Sequence, residues 1–211
     1  MWIMLGMPLL GTAVGACAAL GAPMGSRRWN AALAGAAGGA MLAACVWNLL
    51  LPALESGRGG ALAGFALGLT ALLLPGRIPG ARLSPGAALM LAVVLHNIPE
   101  GMAVGAGESA GLTLGIALQN IPDGAVAAVP LLALGLSRRR AFAMGVLTGA
   151  VEPIAAGLMM ACSAFFAPLM PALLGFAGGA MTFVVLQELA PRMNESGWGT
   201  VCFAAGFLLM C

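Results

Sequence analysis

Long apolar runs, each near the width of a bilayer, alternate with short clusters of Gly, Pro, Ser and Arg along the 211-residue chain. A membrane-spanning helix needs about 20 residues. The breaks predict eight such helices, at 2–22, 31–54, 59–75, 85–106, 111–136, 140–163, 168–190 and 197–211. The runs do not alternate apolar with polar residues, which argues against a transmembrane β-barrel. The expected fold is all-α and integral to the membrane, a single transmembrane unit covering 1–211.

Polar islands interrupt two adjacent runs. His96-Asn97-Ile98-Pro99-Glu100-Gly101 lies in span 4, and Gln119-Asn120-Ile121-Pro122-Asp123-Gly124 repeats the pattern in span 5, 23 residues later. A second echo links span 2 to span 7: GGAMLAACVWNLLLPALESG at 38–57 and GGAMTFVVLQELAPRMNESG at 178–197. Together these predict that spans 1–3 recur as spans 6–8 around the central pair 4–5. Three helices per half, separated by two, make the halves an inverted repeat, the arrangement secondary transporters build around a central site.

Composition strengthens the membrane reading. The chain is 61% hydrophobic and 8% charged, with a mean hydropathy of +1.02, against about a quarter charged residues in a soluble domain. The nine basic residues, all arginines, form no basic face, which removes nucleic acid as a partner. Their distribution sets topology. Arg27, Arg28, Arg77, Arg82, Arg138, Arg139, Arg140 and Arg192 fall in loops on one side and only Arg58 on the other. The positive-inside rule then puts both termini outside the cytoplasm. No basic residue precedes the first apolar run, so a retained helix is expected there rather than a cleaved leader. The five cysteines lie in apolar segments without a C-x-x-C pair and are expected to be small packing residues.

Four acids fall inside the predicted spans: Glu100, Asp123, Glu152 and Glu188. Each costs roughly 2.5–3.5 kcal/mol near the bilayer centre, together on the order of 10 kcal/mol. No arginine lies inside a span beyond Arg140 at the very edge of one, and lysine is absent. The counter-charge must therefore come from solution, as protons or as a metal cation. Spacing favours the cation. His96 and Glu100 share one helix face at i, i+4, Gln119 and Asp123 repeat that spacing, and Asn97, Asn120 and Glu152 stand nearby. Imidazole, carboxylate and amide oxygen suit Zn²⁺, and also Fe²⁺, Mn²⁺ or Cd²⁺, bound as cargo rather than as a cofactor. Glu188, near the cytoplasmic end of span 7, reads equally as a pathway acid or a solvated end residue. Met41 and Met181 read first as packing.

HNIPEG, QNIPDG, GAVEP at 149–153 and GGAMLAA…LLLPALE in span 2 resemble the ZIP family of divalent-metal transporters, in its prokaryotic GufA-like branch. The resemblance covers nearly the whole chain. It implies an eight-helix bundle in the cytoplasmic membrane and a binuclear metal site. One position would use His96, Glu100, Gln119 and Asp123, with Met41 as a soft ligand. The other would use Asn97, Glu100, Asn120, Asp123 and Glu152, with Glu100 and Asp123 bridging. It also implies metal movement into the cytoplasm by an elevator-like shift, and it admits a homodimer. Two features depart from the family. Asp123 stands where relatives usually carry Glu, and the loop Gly76–Ser84 is short and lacks histidine. Two other readings compete: a proton-coupled carrier or channel that binds no metal, and an intramembrane metalloenzyme. The single histidine and the absence of H-E-x-x-H weigh against an enzyme.

Overall fold

A computed structural model describes residues 2–21, 23, 26–71, 85–107 and 110–211. The end of span 3, the loop 76–84 with Arg77 and Arg82, and Glu108 lie outside the described residues. Among the described residues the chain is helical, without strands. Its helices are α1 (Trp2–Ala16), α2 (Ala18–Gly21), α3 (Arg27–Ala44), α4 (Leu51–Ala71), α5 (Pro85–Ala106), α6 (Ala110–Ala133), α7 (Arg138–Gly149), α8 (Val151–Ala161), α9 (Ser163–Phe166), α10 (Met170–Val184), α11 (Ala190–Met193) and α12 (Gly197–Met210). Wide π-helical turns join α3 to α4 (Cys45–Leu50) and α10 to α11 (Val185–Leu189).

Among the described residues five helical stretches are long and apolar enough to cross a membrane: Met4–Gly21, Arg27–Ala71, Ala110–Leu132, Arg138–Ala161 and Ser163–Met193. Gly197–Met210 is apolar but shorter. The 45-residue stretch Arg27–Ala71 is not one straight rod. Its backbone leaves the helical region at Gly57 (φ −179°, ψ 86°). Cys45 and Phe65 would stand about 30 Å apart on a straight helix. A Cβ built on Gly178 of α10 would nevertheless lie 3.3 Å from Cys45 Sγ and 3.8 Å from the Phe65 ring. The chain therefore doubles back at Gly57, within the Glu55-Ser56-Gly57 triplet that the sequence marks as a break.

Serine starts three helices. Ser26, Ser137 and Ser196 accept hydrogen bonds from the backbone N–H groups of Trp29, Arg140 and Trp198 at the heads of α3, α7 and α12. Arginines follow Ser26 and Ser137 directly, at the helix ends where the dipole disfavours cations. Arg138 offsets part of that cost by donating from Nη1 to the carbonyl of Leu20, 2.6 Å away at the end of α2.

Two packing groups emerge. In one, α3 lies against α12 and α4 against α10. Gly35 and Gly39 press on the backbone of Gly199 and Phe203, while Gly175 and Gly179 press on that of Ala61 and Phe65. In the other group α1 packs on α6 and α8 packs on α5, and contacts of α5 with α10 and of α3 with α6 join the two groups. The polarity of the whole is inverted. Leu208 and Leu209 are 72% and 84% exposed, whereas His96, Glu100 and Gln119 are 0% exposed. Such apolar surface in water would drive association, and hydrocarbon is its natural solvent. The cysteines depart from their expected role: Cys45 is buried, but Cys17, Cys162 and Cys211 are exposed. Those three stand just past the ends of α1, α8 and α12 rather than inside a helix, so small size does not bring burial.

Candidate metal centre

The two hexapeptides sit mid-helix on α5 and α6, and both helices run unbroken through Pro99 and Pro122. His96, Asn97, Glu100, Gln119, Asn120, Asp123 and Glu152 are all buried. Glycines make their approach possible. A methyl group on Gly101 would overlap the backbone of Glu152 in α8, and one on Gly124 would overlap that of Thr12 in α1. Each hexapeptide ends in the residue that lets a neighbouring helix come backbone-close.

The contacts within the cluster are specific. His96 Nε2 lies 3.5 Å from Asp123 Oδ2, bridging α5 and α6. Gln119 Nε2 donates to Glu100 Oε1 at 2.7 Å. Asn120 Nδ2 lies 2.8 Å from both carboxylate oxygens of Glu152 and 3.2 Å from the Pro8 carbonyl. Asn97 Nδ2 donates to the Thr148 carbonyl at 3.1 Å. A backbone carbonyl can only accept, so these two contacts fix which way both asparagine amides face.

The atoms left over are acceptors. Asn97 Oδ1, Glu100 Oε2, Gln119 Oε1, Asn120 Oδ1 and both Asp123 oxygens are buried without a hydrogen-bond partner among the described residues. Leaving a buried polar group unsatisfied costs about 1–3 kcal/mol, more when it is charged. Every arginine among the described residues is exposed or half-buried, so none serves as their counter-charge. Six lone-pair oxygens beside one imidazole fit a cation chemically. Among the described residues no three His, Cys, Asp or Glu side chains form a metal-holding group by themselves. A metal here must draw on the amide oxygens and turn the carboxylates.

Two predicted residues stand apart from the seven. Glu188 is 30% exposed and pairs with Arg192 at 3.5 Å, one turn along its own helix. It needs no cation from solution, so the unpaired acids number three rather than four. Met41 is fully buried in the apolar core, as is Met181. Sequence reasoning missed Thr12, Thr148 and Asn48. Thr12 is buried on α1, its hydroxyl 3.3 Å from the Pro8 carbonyl that Asn120 also uses. A Cβ on Gly115 of α6 would lie 2.9 Å from Asn48 Nδ2. The only signal for these residues was a polar letter in an oily run.

The family model described as ZIP zinc transporter matches residues 77–211, a stretch that holds all seven clustered residues. The chain belongs to the ZIP zinc transporter family. Over 94% of its length it is 37% identical to the zinc transporter ZIPB of Bordetella bronchiseptica, covering 75% of that protein. It is 43% identical to the bovine zinc transporter ZIP11 over 64% of this chain, and 33% identical to the zinc transporter GufA of Myxococcus xanthus over 57%. It spans 47% of the bovine ZIP11 protein and 41% of the human one, less than half of each. Membership makes this ZIP chain a membrane protein of a transporter family rather than of an enzyme family.

Proposed function

We propose that this chain carries a divalent transition metal across the membrane through the buried cluster on α5, α6 and α8, and that the metal moves into the cytoplasm. Zinc is the leading cargo, because the relatives are named zinc transporters. Fe²⁺, Mn²⁺ and Cd²⁺ suit the same ligand chemistry. The observation that carries the reading is the set of six buried oxygens, beside one imidazole, that have no hydrogen-bond donor and no arginine next to them among the described residues. The relative from a bacterium supports the cytoplasmic membrane as its location.

Two ions would share the centre, one between His96, Glu100, Gln119 and Asp123, the other between Asn97, Glu100, Asn120, Asp123 and Glu152. Glu100 and Asp123 would bridge. Asp123 is one methylene shorter than Glu, so the bridge requires closer helices or leaves one position weak. The bundle would have eight spans with both termini outside, the 45-residue stretch supplying two of them. Paired close approaches support the inverted repeat: Gly39 and Gly179 are 140 residues apart, and their partners Phe65 and Phe203 are 138 apart. The same 140-residue step relates Pro8 to Thr148, whose carbonyls hold Asn120 and Asn97. Transport would proceed by an elevator-like shift of the α1, α5, α6 and α8 group against α3, α4, α10 and α12. The family also admits a homodimer.

The test is Zn²⁺ and Cd²⁺ uptake into proteoliposomes. His96→Ala and Glu100→Ala should each abolish most of it; unchanged uptake in both overturns the proposal. A carrier that moves only protons would also show no melting shift with Zn²⁺, whereas a metal carrier at 100 times Kd gains about 2.7 kcal/mol.

A further inference from the structure

Amides tie the helices of the centre together. Gln119 Nε2 joins α6 to α5 through Glu100 Oε1 at 2.7 Å. Asn120 Nδ2 joins α6 to α8 through both oxygens of Glu152 at 2.8 Å, and to α1 through the Pro8 carbonyl at 3.2 Å. One NH2 group has two hydrogens, so three acceptors share them. The two carboxylates are thus directed at amide donors.

We propose that Gln119 and Asn120 form a clasp for the empty carrier. Their NH2 groups hold the Glu100 and Glu152 oxygens that a metal would otherwise hold, so that the ion-free centre stays closed and can recross the membrane. The inference rests on the transport reading above. On metal binding the carboxylates leave the amides, and the amides turn to offer Gln119 Oε1 and Asn120 Oδ1, both without a hydrogen-bond partner among the described residues. An amide can do this because it carries donors and an acceptor on one rotor. A carboxylate at either position could bind the ion but, when ionised, could not donate in its absence. A protonated Glu100 or Glu152 keeps a carbonyl oxygen that accepts the same bond, so the clasp works in either charge state.

Net uptake requires the empty carrier to return, whereas ion-for-ion exchange does not. Gln119→Glu and Asn120→Asp keep the ligand oxygen and the side-chain size but remove the donor. In proteoliposomes carrying the full chain, labelled Zn²⁺ exchange and net Zn²⁺ uptake are measured side by side. The ratio of net uptake to exchange should fall about tenfold in each variant, the scale of one lost hydrogen bond to a charged group. An unchanged ratio overturns the clasp. For a variant with no measurable exchange, melting of the purified protein decides. The clasp requires the zinc-free melting temperature to fall more than the zinc-loaded one, and equal falls overturn it. Absence of both exchange and uptake in the unsubstituted protein would instead remove the transport reading, and the clasp with it.

Discussion

At Asn97 and Asn120 the same side chain meets two different fates. Asn97 gives its NH2 to the Thr148 carbonyl and leaves Oδ1 unpartnered. Asn120 gives its NH2 to the Pro8 carbonyl and to Glu152 together. Its neighbour Gln119 is bound to Glu100 alone. The positions of all seven polar residues were legible in the sequence, because polar letters stand out in an apolar run. Their partners were not, since Pro8 and Thr148 contribute backbone oxygens that any residue possesses. This yields a residue-scale prediction. Because Thr148 holds Asn97 through its main chain, Thr148→Ala should leave Zn²⁺ affinity within about threefold. Asn97→Leu should weaken it by about 10–100-fold, the cost typical of disturbing a metal centre's hydrogen-bonded shell. Calorimetric titration in detergent distinguishes the two, and equal losses would contradict the main-chain assignment.

At the scale of elements, helix boundaries followed local chemistry closely. A helix, Pro85–Ala106, occupies the segment expected as a span at 85–106, and the break expected at 164–167 is a short irregular passage through α9. The joins inside helices were less visible. The turn between α7 and α8 at Ala150 and the two π-helical stretches after the GGAM segments each stand just before a proline, Pro153, Pro52 and Pro191, which withholds a helix hydrogen bond one turn earlier. Glycine roles also divide by packing. Gly101 and Gly124 face backbone, while Gly157 has no atom within 4 Å of a built Cβ. Gly101→Val and Gly124→Val should each cost about 1–3 kcal/mol or more through overpacking. That is a fall of about 2–12 °C in melting temperature for a chain of this size. Gly157→Ala should melt within about 2 °C of the unsubstituted protein, since surface changes stay near ±0.5 kcal/mol. A comparable loss at Gly157 would show that all three glycines serve backbone flexibility instead of close approach.

For the whole molecule, the inverted polarity and the one-sided arginines make a topological prediction. Cys211, exposed at the end of α12, should lie on the outer face. A variant with Cys17, Cys162 and Cys202 replaced by alanine keeps only that exposed cysteine. A membrane-impermeant maleimide should label it in intact cells. Labelling only after permeabilisation would reverse the orientation. The same reagent applied with and without Zn²⁺ should give equal labelling, because α12 packs on α3 and not on the metal-bearing helices.

The sequence by itself determined the helical, membrane-embedded class, the family, and which polar residues meet. Each depends on the cost of placing charge and polar groups in hydrocarbon, a cost that hydropathy reads directly. Only the tertiary structure decided who partners whom. The pairing of Glu188 with Arg192 at 3.5 Å is the exception, since i, i+4 spacing on one helix already carried it in the sequence. The tertiary structure made Gln119 and Asn120 donors to Glu100 and Glu152. It brought in Pro8, Thr12 and Thr148 from helices whose letters carry no metal chemistry. Hydrogen bonds are directional and short, so they depend on the relative placement of helices that lie far apart along the chain.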